Sequence, residues 1–364
     1  MITYKFRLYP TEYQQLTIQK YLSVCKDAYN KCLETRKTAW ETEQKNVSNY
    51  DCHKLLTQWK KEFGWSFVYS SCLLDACDRL DKAYKSFFRR CKTGEKAGFP
   101  KFKSWKYYDS FTYKSEKDRV KINNNSIHFP KLGKIKARLH RQIEGSIKTT
   151  TVKCDKVGKY WVTIVTDFTP PAAPTPKDAV GIDLGIVHFA TLSDGTVIEN
   201  PKTLNEHLKR LKKCHNKLSK TKKCSKERDK VKRSLNRVYS KITNIRNDFL
   251  QKLTTKLSES YSLIAIEDLN IKNMVEDSNK TGLNRAIHDV SWGKFIELLE
   301  QKCLKTGCTL VKVDPAYTSQ TCSQCGYCNK DNRVSQSEFE CLSCDFEENA
   351  DYNGSLNILR KALT

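Results

Sequence analysis

The 364-residue sequence is poor in acidic residues and has no long apolar segment. Asp and Glu total 41 against 65 Lys and Arg, which leaves a formal net charge of +24 at pH 7. An excess of this size indicates a polyanionic partner, with a generally basic solvated surface as the alternative. No apolar run approaches the roughly 20 residues that cross a bilayer. The absence of a repeat period also argues against a solenoid.

The amino terminus lacks the features of an export signal. Residues 1–6 show no basic region, apolar core or small-residue cleavage site. We therefore expect a cytoplasmic protein, associated with the nucleoid of a prokaryote. Sixteen cysteines in such a chain should be mostly reduced. Twelve of them lie outside any paired motif, which is typical of small buried side chains.

Two kinds of periodicity organise the chain before residue 170. Residues 2–9 alternate apolar and polar side chains and predict a strand. Residues 11–14 then fit a capping box that opens a helix, and helical patterns continue to about residue 92. From about residue 104 to 168 the period becomes two, which predicts further strands. The pattern therefore predicts a barrel or sheet interrupted by a helical unit.

A proline-rich segment, residues 170–178, predicts a stiff linker and a domain boundary. The second half then alternates strand and helix patterns. Residues 179–192 predict a strand pair, and the very basic stretch 203–256 predicts two antiparallel helices. Further elements are expected as a buried strand at 262–266, a helix at 291–303, a strand at 310–315 and a final helix at 351–362.

Four cysteines have the spacing of a structural metal site. Cys322 and Cys325 form one CxxC pair, Cys341 and Cys344 form a second, and fifteen residues separate the pairs. Two such turns complete a tetrahedral Zn²⁺ site, whereas a redox pair or two disulfides are the alternatives. Four thiolates leave no open position, so we expect this zinc to be structural and Cys328 to be a spare thiol.

Three acidic residues stand out by their context. Asp183 lies within a predicted buried strand, Glu267 ends another, and Asp351 begins the last helix. Each has an ordinary explanation, for example a helix-start acid at Asp351 or a simple strand end at Glu267. Together, on a basic chain, converging carboxylates predict a site for one or two Mg²⁺ ions that supports phosphodiester cleavage.

Basic and aromatic residues are candidates for nucleic-acid contacts. The basic stretch predicts phosphate contacts, with a solvated helical face as the alternative. The aromatic cluster at residues 105–113, interleaved with lysines, predicts either base stacking or sheet core. The basic side chains assigned to this role are Lys209, Arg210, Lys213, Lys217, Lys220, Arg233 and Arg237.

The order, spacing and residue identities of five motifs resemble those of the TnpB family. Members of this family are transposon-encoded RNA-guided nucleases regarded as ancestors of type V CRISPR effectors. The resemblance is specific over residues 179–360 and looser before them. The motifs are Gly181-Ile-Asp-Leu-Gly185, Ile266-Glu-Asp-Leu269, Tyr317-Thr-Ser-Gln-Thr-Cys-Ser-Gln-Cys-Gly326, Phe339-Glu-Cys-Leu-Ser-Cys344 and Asn349-Ala-Asp-Tyr-Asn353.

The resemblance implies a multidomain α/β and β-barrel fold. A wedge β-barrel (1–10 and 104–169) would be interrupted by a helical recognition unit (11–103). An RNase H-like RuvC nuclease domain (179–364) would follow, with a zinc ribbon (317–348) inserted in it.

The same resemblance implies a function and a set of site residues. Asp183, Glu267 and Asp351 would be the catalytic triad, and Arg333 resembles a basic residue that the family holds near it. A guide RNA and double-stranded target DNA would be the partners. The alternatives are an RNA-guided repressor that no longer cleaves and an unguided RuvC-type nuclease. One departure is the segment Asn353-Gly-Ser355, where the family commonly has alanines.

Overall fold

The structure, a computed structural model, describes residues 1–114, 120–169, 178–270, 274 and 281–364, without the side chains of 281–283. The predicted proline-rich linker therefore lies outside the described residues, apart from Asp178. The chain divides into two compact units, Met1–Thr169 and Pro170–Thr364. Among the described residues, no helix is both long and apolar enough to cross a membrane.

The first unit contains one seven-stranded antiparallel sheet in the order β2-β6-β7-β1-β5-β4-β3. The predicted barrel is not found, because the edge strands β2 and β3 do not pair within the described residues. Both edges are short, and closure of a barrel needs its edge strands to pair along their length. The strands are β1 (Ile2–Tyr9), β2 (Ser110–Tyr113), β3 (Lys121–Asn123), β4 (Ser126–Phe129), β5 (Gly133–Arg138), β6 (Ile147–Cys154) and β7 (Tyr160–Thr166).

Three helices lie between strands β1 and β2 in the chain. They are α1 (Glu12–Glu43), α2 (Asn49–Glu62) and α3 (Ser70–Lys92). The predicted capping box is confirmed, since Thr11 and Gln14 exchange side-chain and backbone hydrogen bonds at the start of α1. The insertion of a helical unit into one sheet is likewise confirmed.

The aromatic cluster at residues 105–113 divides between core and surface. Tyr108, Phe111 and Tyr113 are buried in the core between sheet and helices. Trp105 and Tyr107, in a short 3₁₀ turn, are 78% and 76% exposed. Base stacking by the first three is therefore wrong, because their rings are unavailable to a ligand.

The second unit is built on a five-stranded mixed sheet in the order β10-β9-β8-β11-β12. Strands β10, β9 and β8 pair antiparallel, whereas β11 pairs parallel to both β8 and β12. The strands are β8 (Ala179–Leu184), β9 (His188–Leu192), β10 (Val197–Glu199), β11 (Leu263–Glu267) and β12 (Thr309–Val313). A two-stranded ribbon, β13 (Glu338–Glu340) with β14 (Glu347–Asn349), lies within the cysteine segment.

Helices cover both faces of this sheet. On one face, apolar residues of β8, β9 and β11 form a core with α5 and α7. On the other face, Ala265 and Val313 pack against Ile358 of the last helix. The helices are α4 (Thr203–Lys220), α5 (Lys226–Ser260), α6 (Thr281–Val290), α7 (Trp292–Thr306) and α8 (Ala350–Leu363).

The basic stretch forms the predicted pair of helices. Leu211 and Cys214 of α4 pack against Leu235, Val238 and Ile242 of α5. This small apolar core fixes one face of each helix and leaves the opposite faces to the lysines and arginines. Two adjacent helices joined by a five-residue connection are antiparallel neighbours, as expected from the sequence.

Candidate active site, metal centre and nucleic-acid surfaces

Asp183 and Glu267 project from neighbouring strands onto the same face of the second sheet. Parallel pairing places Ile266 of β11 opposite Ile182 of β8, so the two acids that follow are neighbours. Both isoleucines point into the core with α5 and α7. Because strand side chains alternate, Asp183 and Glu267 face the last helix, α8.

Asp351 lies in the first turn of α8, and this helix packs closely against β8. The Asn349 side chain caps the helix and accepts hydrogen bonds from the backbone N–H groups of Asp351 and Tyr352. One turn further on, a β-carbon built on Gly354 would lie 3.2 Å from Oδ2 of Asp183. The helix therefore brings the third acid to the sheet face that carries the other two.

The electrostatics of the three acids are mutually unfavourable without a cation. Burial, reinforced by the charges of Glu267 and Asp351, raises the pKa of Asp183 from its ordinary 3.8 to about 7. Burial also raises the pKa of Glu267, against the opposing effect of a hydrogen bond from Thr318. Like charges in a poorly solvated site favour the protonated form or a bound cation.

Arg333 reaches the acids from the cysteine segment. Its Nη2 lies 3.5 Å from Oδ1 of Asp351, and the same side chain donates to the carbonyls of Ser335 and Gln336. Its positive charge partly offsets the rise in the pKa of both Asp183 and Glu267. Arg333 therefore lies beside Asp351 and acts electrostatically on the other two acids of the predicted triad.

The four paired cysteines converge as the sequence predicts. Their sulfur atoms all lie within 4.8 Å of one another, with Cys322 to Cys344 at 3.8 Å and Cys325 to Cys341 at 3.5 Å. Four sulfurs about 2.3 Å from a tetrahedral Zn²⁺ would lie about 3.8 Å apart. The donor set thus fits zinc, and no other group of three or more such ligands meets this distance in the described residues.

Backbone N–H groups support the cysteine site. The N–H groups of Cys325, Tyr327 and Ser343 each point to a cysteine sulfur at 3.5 Å. Hydrogen bonds of this kind stabilise thiolates, the form that binds metal. The exposed Cys328 is outside the group, as expected for a spare thiol.

Helix α4 presents a continuous basic surface. A groove of about 420 Å³ runs along it, and the seven basic residues assigned from the sequence are all exposed. Residues at spacings of three or four share one face of a helix. The groove is lined by Lys209, Lys212, Lys213, Asn216, Lys217 and Lys220. Arg233 and Arg237 lie on α5.

A second basic surface, on the first unit, escaped the sequence reasoning. Lys5 and Arg7 of β1 stack over the ring of Trp161, with charge-to-centroid distances of 4.6 and 5.2 Å. Trp161 is held by a hydrogen bond from its indole N–H to Asp155. The surface surrounds a cavity of about 550 Å³ lined by Lys5, Arg7, Tyr9, Arg138, His140, Lys159 and Trp161. Its only sequence signal was the alternation of basic residues in β1.

Family comparisons cover most of the chain. A family described as "Probable transposase" matches residues 133–278, and "Cas12f1-like, TNB domain" matches residues 292–358. A family described as "Helix-turn-helix domain" matches residues 1–45, where the structure has the strand β1 and the single helix α1.

Two curated proteins match over nearly the whole chain. The Escherichia coli K12 protein "Putative RNA-guided DNA endonuclease InsQ" is 35% identical, covering 98% of this chain and 91% of its own. A protein of the same description from Streptomyces pristinaespiralis is 33% identical, covering 99% of this chain and 89% of its own. Identity at this level over full length shows common family membership.

A solved structure shares the fold. A chain from the cryo-EM structure of the Cas12f1-sgRNA-target DNA complex matches 96% of this chain and 83% of its own, with a TM-score of 0.60 and 16% identity. The fold of the antiparallel sheet with its helices and of the mixed sheet with its helices therefore also occurs in that structure.

Proposed function

Because the chain belongs to the TnpB family, we propose that it is an RNA-guided DNA endonuclease that hydrolyses phosphodiester bonds at a single RuvC-type site. A transposon-derived guide RNA and a short motif beside the target would direct it to double-stranded DNA. In this proposal the first unit is the wedge (1–10 and 104–169) with its recognition helices (11–103). Residues 179–364 are then the nuclease domain, with the zinc ribbon at 317–348.

The observation that carries the proposal is the burial of Asp183 beside two further acids. Its pKa is raised to about 7 by burial and by the charges of Glu267 and Asp351. Buried acids that raise one another's pKa destabilise the folded protein when they ionise. Such a cluster is therefore typical of a site that binds a cation or performs catalysis. Hard divalent ions with oxygen ligands match this donor set, so we assign Mg²⁺ to it.

The residues of the site have distinct roles in this proposal. Asp183, Glu267 and Asp351 would hold one or two Mg²⁺ ions, whose bound state supplies an activated water and neutralises charge on the scissile phosphate. Arg333, next to Asp351, orients this acid and adds positive charge where a phosphate would approach.

The basic surfaces supply the nucleic-acid contacts. The α4 groove and the Arg233 and Arg237 side chains of α5 suit phosphate contacts along a guide–target heteroduplex. The surface around Trp161 combines cations with an aromatic ring, a combination typical of single-stranded nucleic-acid binding. Backbone contacts of this kind read shape, while base pairing with the guide supplies sequence.

The test is to sequence the RNA that co-purifies with the full-length protein and then to replace its guide segment. The reprogrammed complex should cleave a plasmid carrying the new target in Mg²⁺, and should leave a plasmid with a scrambled target intact. Asp183→Ala should retain RNA and target binding but lose cleavage, because only the metal ligand is removed.

Other results would identify the alternatives. Guide-dependent binding of target by the wild-type protein without cleavage would identify a repressor. Cleavage without discrete RNA would identify an unguided nuclease, and joining of DNA ends would support the transposase description of the family that matches residues 133–278. The retention of all three acids favours the cleaving enzyme over the repressor.

A further inference from the structure

Thr318 connects the start of the zinc ribbon to the predicted active site. The residue is buried, with 2% of its surface exposed. Its hydroxyl lies 2.5 Å from Oε1 of Glu267 and 2.9 Å from the carbonyl oxygen of Pro315. A hydroxyl donates one proton, and the shorter, charge-assisted bond to the carboxylate is the stronger of the two. The Glu267 carboxylate is thus oriented by a side chain that lies 51 residues further along the chain.

The turn that contains Thr318 is held in place by two buried amides of α8. Asn357 donates to the carbonyls of Thr318 and Thr321, at 3.0 and 2.6 Å. Asn353 donates to the Thr321 carbonyl at 2.9 Å and accepts from the Ser323 N–H at 2.8 Å. Both asparagines are almost fully buried, so these bonds are shielded from water.

Asn353 is therefore hydrogen-bonded to the backbone on either side of Cys322, a predicted zinc ligand. The same helix carries Asp351 two residues before Asn353. The turn at residues 318–323 thus contains the predicted zinc ligand Cys322 and is hydrogen-bonded to α8, the helix that carries Asp351. The same turn also orients the side chain of Glu267 through Thr318. Any displacement of this turn moves the Thr318 hydroxyl, which donates the hydrogen bond to the Glu267 carboxylate.

We propose that Thr318 is a positioning residue for Glu267, and that the Asn353 and Asn357 amides make this position depend on the folded, metal-bound ribbon. The proposal rests on the proposed function, since it assigns Glu267 to the divalent-metal site. Glu267 has two oxygens, and a fixed hydrogen bond to Oε1 would leave Oε2 to bind the ion. Partners that orient metal ligands in this way typically change metal affinity by roughly 10–100-fold when they are removed.

The test compares two substitutions in the full-length, zinc-loaded protein. Thr318→Val keeps the side-chain shape but removes the hydroxyl, whereas Thr318→Ser keeps the hydroxyl. Thr321→Val is the matched control, because the Thr321 hydroxyl in the same turn donates to the backbone carbonyl of Tyr317 and not to Glu267. Zinc content and thermal unfolding are measured for every variant.

The direct readout is Mn²⁺ binding, followed by the electron paramagnetic resonance signal of the free ion. The binding that Asp183→Ala removes defines the site. Thr318→Val should weaken binding at this site by at least about tenfold, with one zinc per chain and an unchanged unfolding temperature. Thr318→Ser and Thr321→Val should bind Mn²⁺ as the wild type does.

Two outcomes would overturn the proposal. Wild-type Mn²⁺ affinity in Thr318→Val would show that Glu267 is positioned without the hydroxyl. Loss of zinc or folding in Thr318→Val would show that Thr318 only maintains the ribbon. Failure of the proposed function has a different signature, in which the wild-type complex does not cleave guided targets although the Mn²⁺ affinities still separate Thr318→Val from Thr318→Ser.

Discussion

Gly181 of β8 packs directly on the backbone of Ser355 in α8. A β-carbon on Gly181 would lie 2.1 Å from the Ser355 carbonyl oxygen and 2.7 Å from the backbone nitrogen of Leu359. Backbone atoms of a helix have little freedom to retreat, so this position accepts no side chain. Asp183 lies two residues after Gly181 in β8, and Asp351 lies in the first turn of α8. The close approach at Gly181 therefore brings these two acids towards each other.

Gly181→Ala should therefore separate α8 from the sheet. Overpacking of this kind costs about 1–3 kcal/mol or more, because backbone must move. We expect a lower unfolding temperature, together with weaker divalent-metal binding, since Asp351 moves away from Asp183. Gly98→Ala is the matched control: no atom lies within 4 Å of its added β-carbon, so it should unfold as the wild type does. Equal unfolding temperatures for both variants would contradict the packing argument.

The raised pKa of Asp183 predicts a pH-dependent stability in the absence of divalent ions. A carboxyl whose pKa is higher when folded binds its proton more tightly in the folded state. Its favourable contribution is complete below the ordinary pKa of 3.8 and is lost as pH rises through about 7. Asp183→Asn removes the ionisable group, so it should be more stable than the wild type at pH 8.

The difference between Asp183→Asn and wild type can be measured by urea unfolding of zinc-loaded protein between pH 5 and 8. A pKa that rises from 3.8 to about 7 corresponds to at most about 4 kcal/mol at full ionisation. The advantage of the variant should shrink towards pH 5. Added Mg²⁺ should stabilise the wild type but not the variant, and an advantage that ignores both pH and Mg²⁺ would contradict the prediction.

Zinc removal should unfold the ribbon and weaken the active site. The apolar core beneath the ribbon consists only of Cys322, Phe339 and Cys341 with Ala350 of α8, which is too small to stabilise residues 317–348 without the metal. Chelation should raise amide hydrogen exchange in this segment and abolish cleavage. Cys322→Ser should lose the zinc, whereas Cys328→Ser should retain one zinc per chain. Protected amides after chelation would show that the metal is dispensable for the fold.

The α4 groove predicts a specific salt dependence of nucleic-acid binding. Lys213→Gln with Lys217→Gln removes two charges from the groove. If both contact phosphates, the slope of log affinity against log salt should fall in magnitude by about two, to the same extent for every guide sequence. Lys294→Gln, which removes a lysine paired with Glu297 at 2.9 Å, is the matched control. An unchanged slope would indicate a merely solvated surface.

Local pattern was sufficient to predict most of the secondary structure and the cysteine cluster. The alternation of residues 2–9 and the capping box at Thr11 are encoded by neighbouring residues, and both are found. The CxxC pairs each form a local turn, so their spacing predicts how the sulfurs converge. The assignment of Asp183, Glu267 and Asp351 as catalytic remains a prediction, although the fold places them on one sheet face.

Features that depend on tertiary pairing could not be predicted. The Thr318 contact with Glu267 requires knowledge of where the ribbon packs, because nothing in either local sequence indicates it. The basic surface around Trp161 arises only when β1 pairs with both β5 and β7. The open sheet differs from the expected barrel for the same reason, since strand closure is decided by the edges and not by the period of any one strand.

The pairing of β1 with β7 also determines when the first unit can fold during synthesis. Ile2 pairs with Thr166, so the first strand made by the ribosome has its longest partner among the last residues of the unit. At about 5–20 residues per second, β1 waits roughly 8–30 s for that partner. During this time α1, α2 and α3 can form locally, whereas the sheet lacks β7, the strand that pairs with both β1 and β6. Nascent chains arrested before residue 133, where β5 begins, should therefore expose a β1 that has neither of its two partner strands and is available to chaperones.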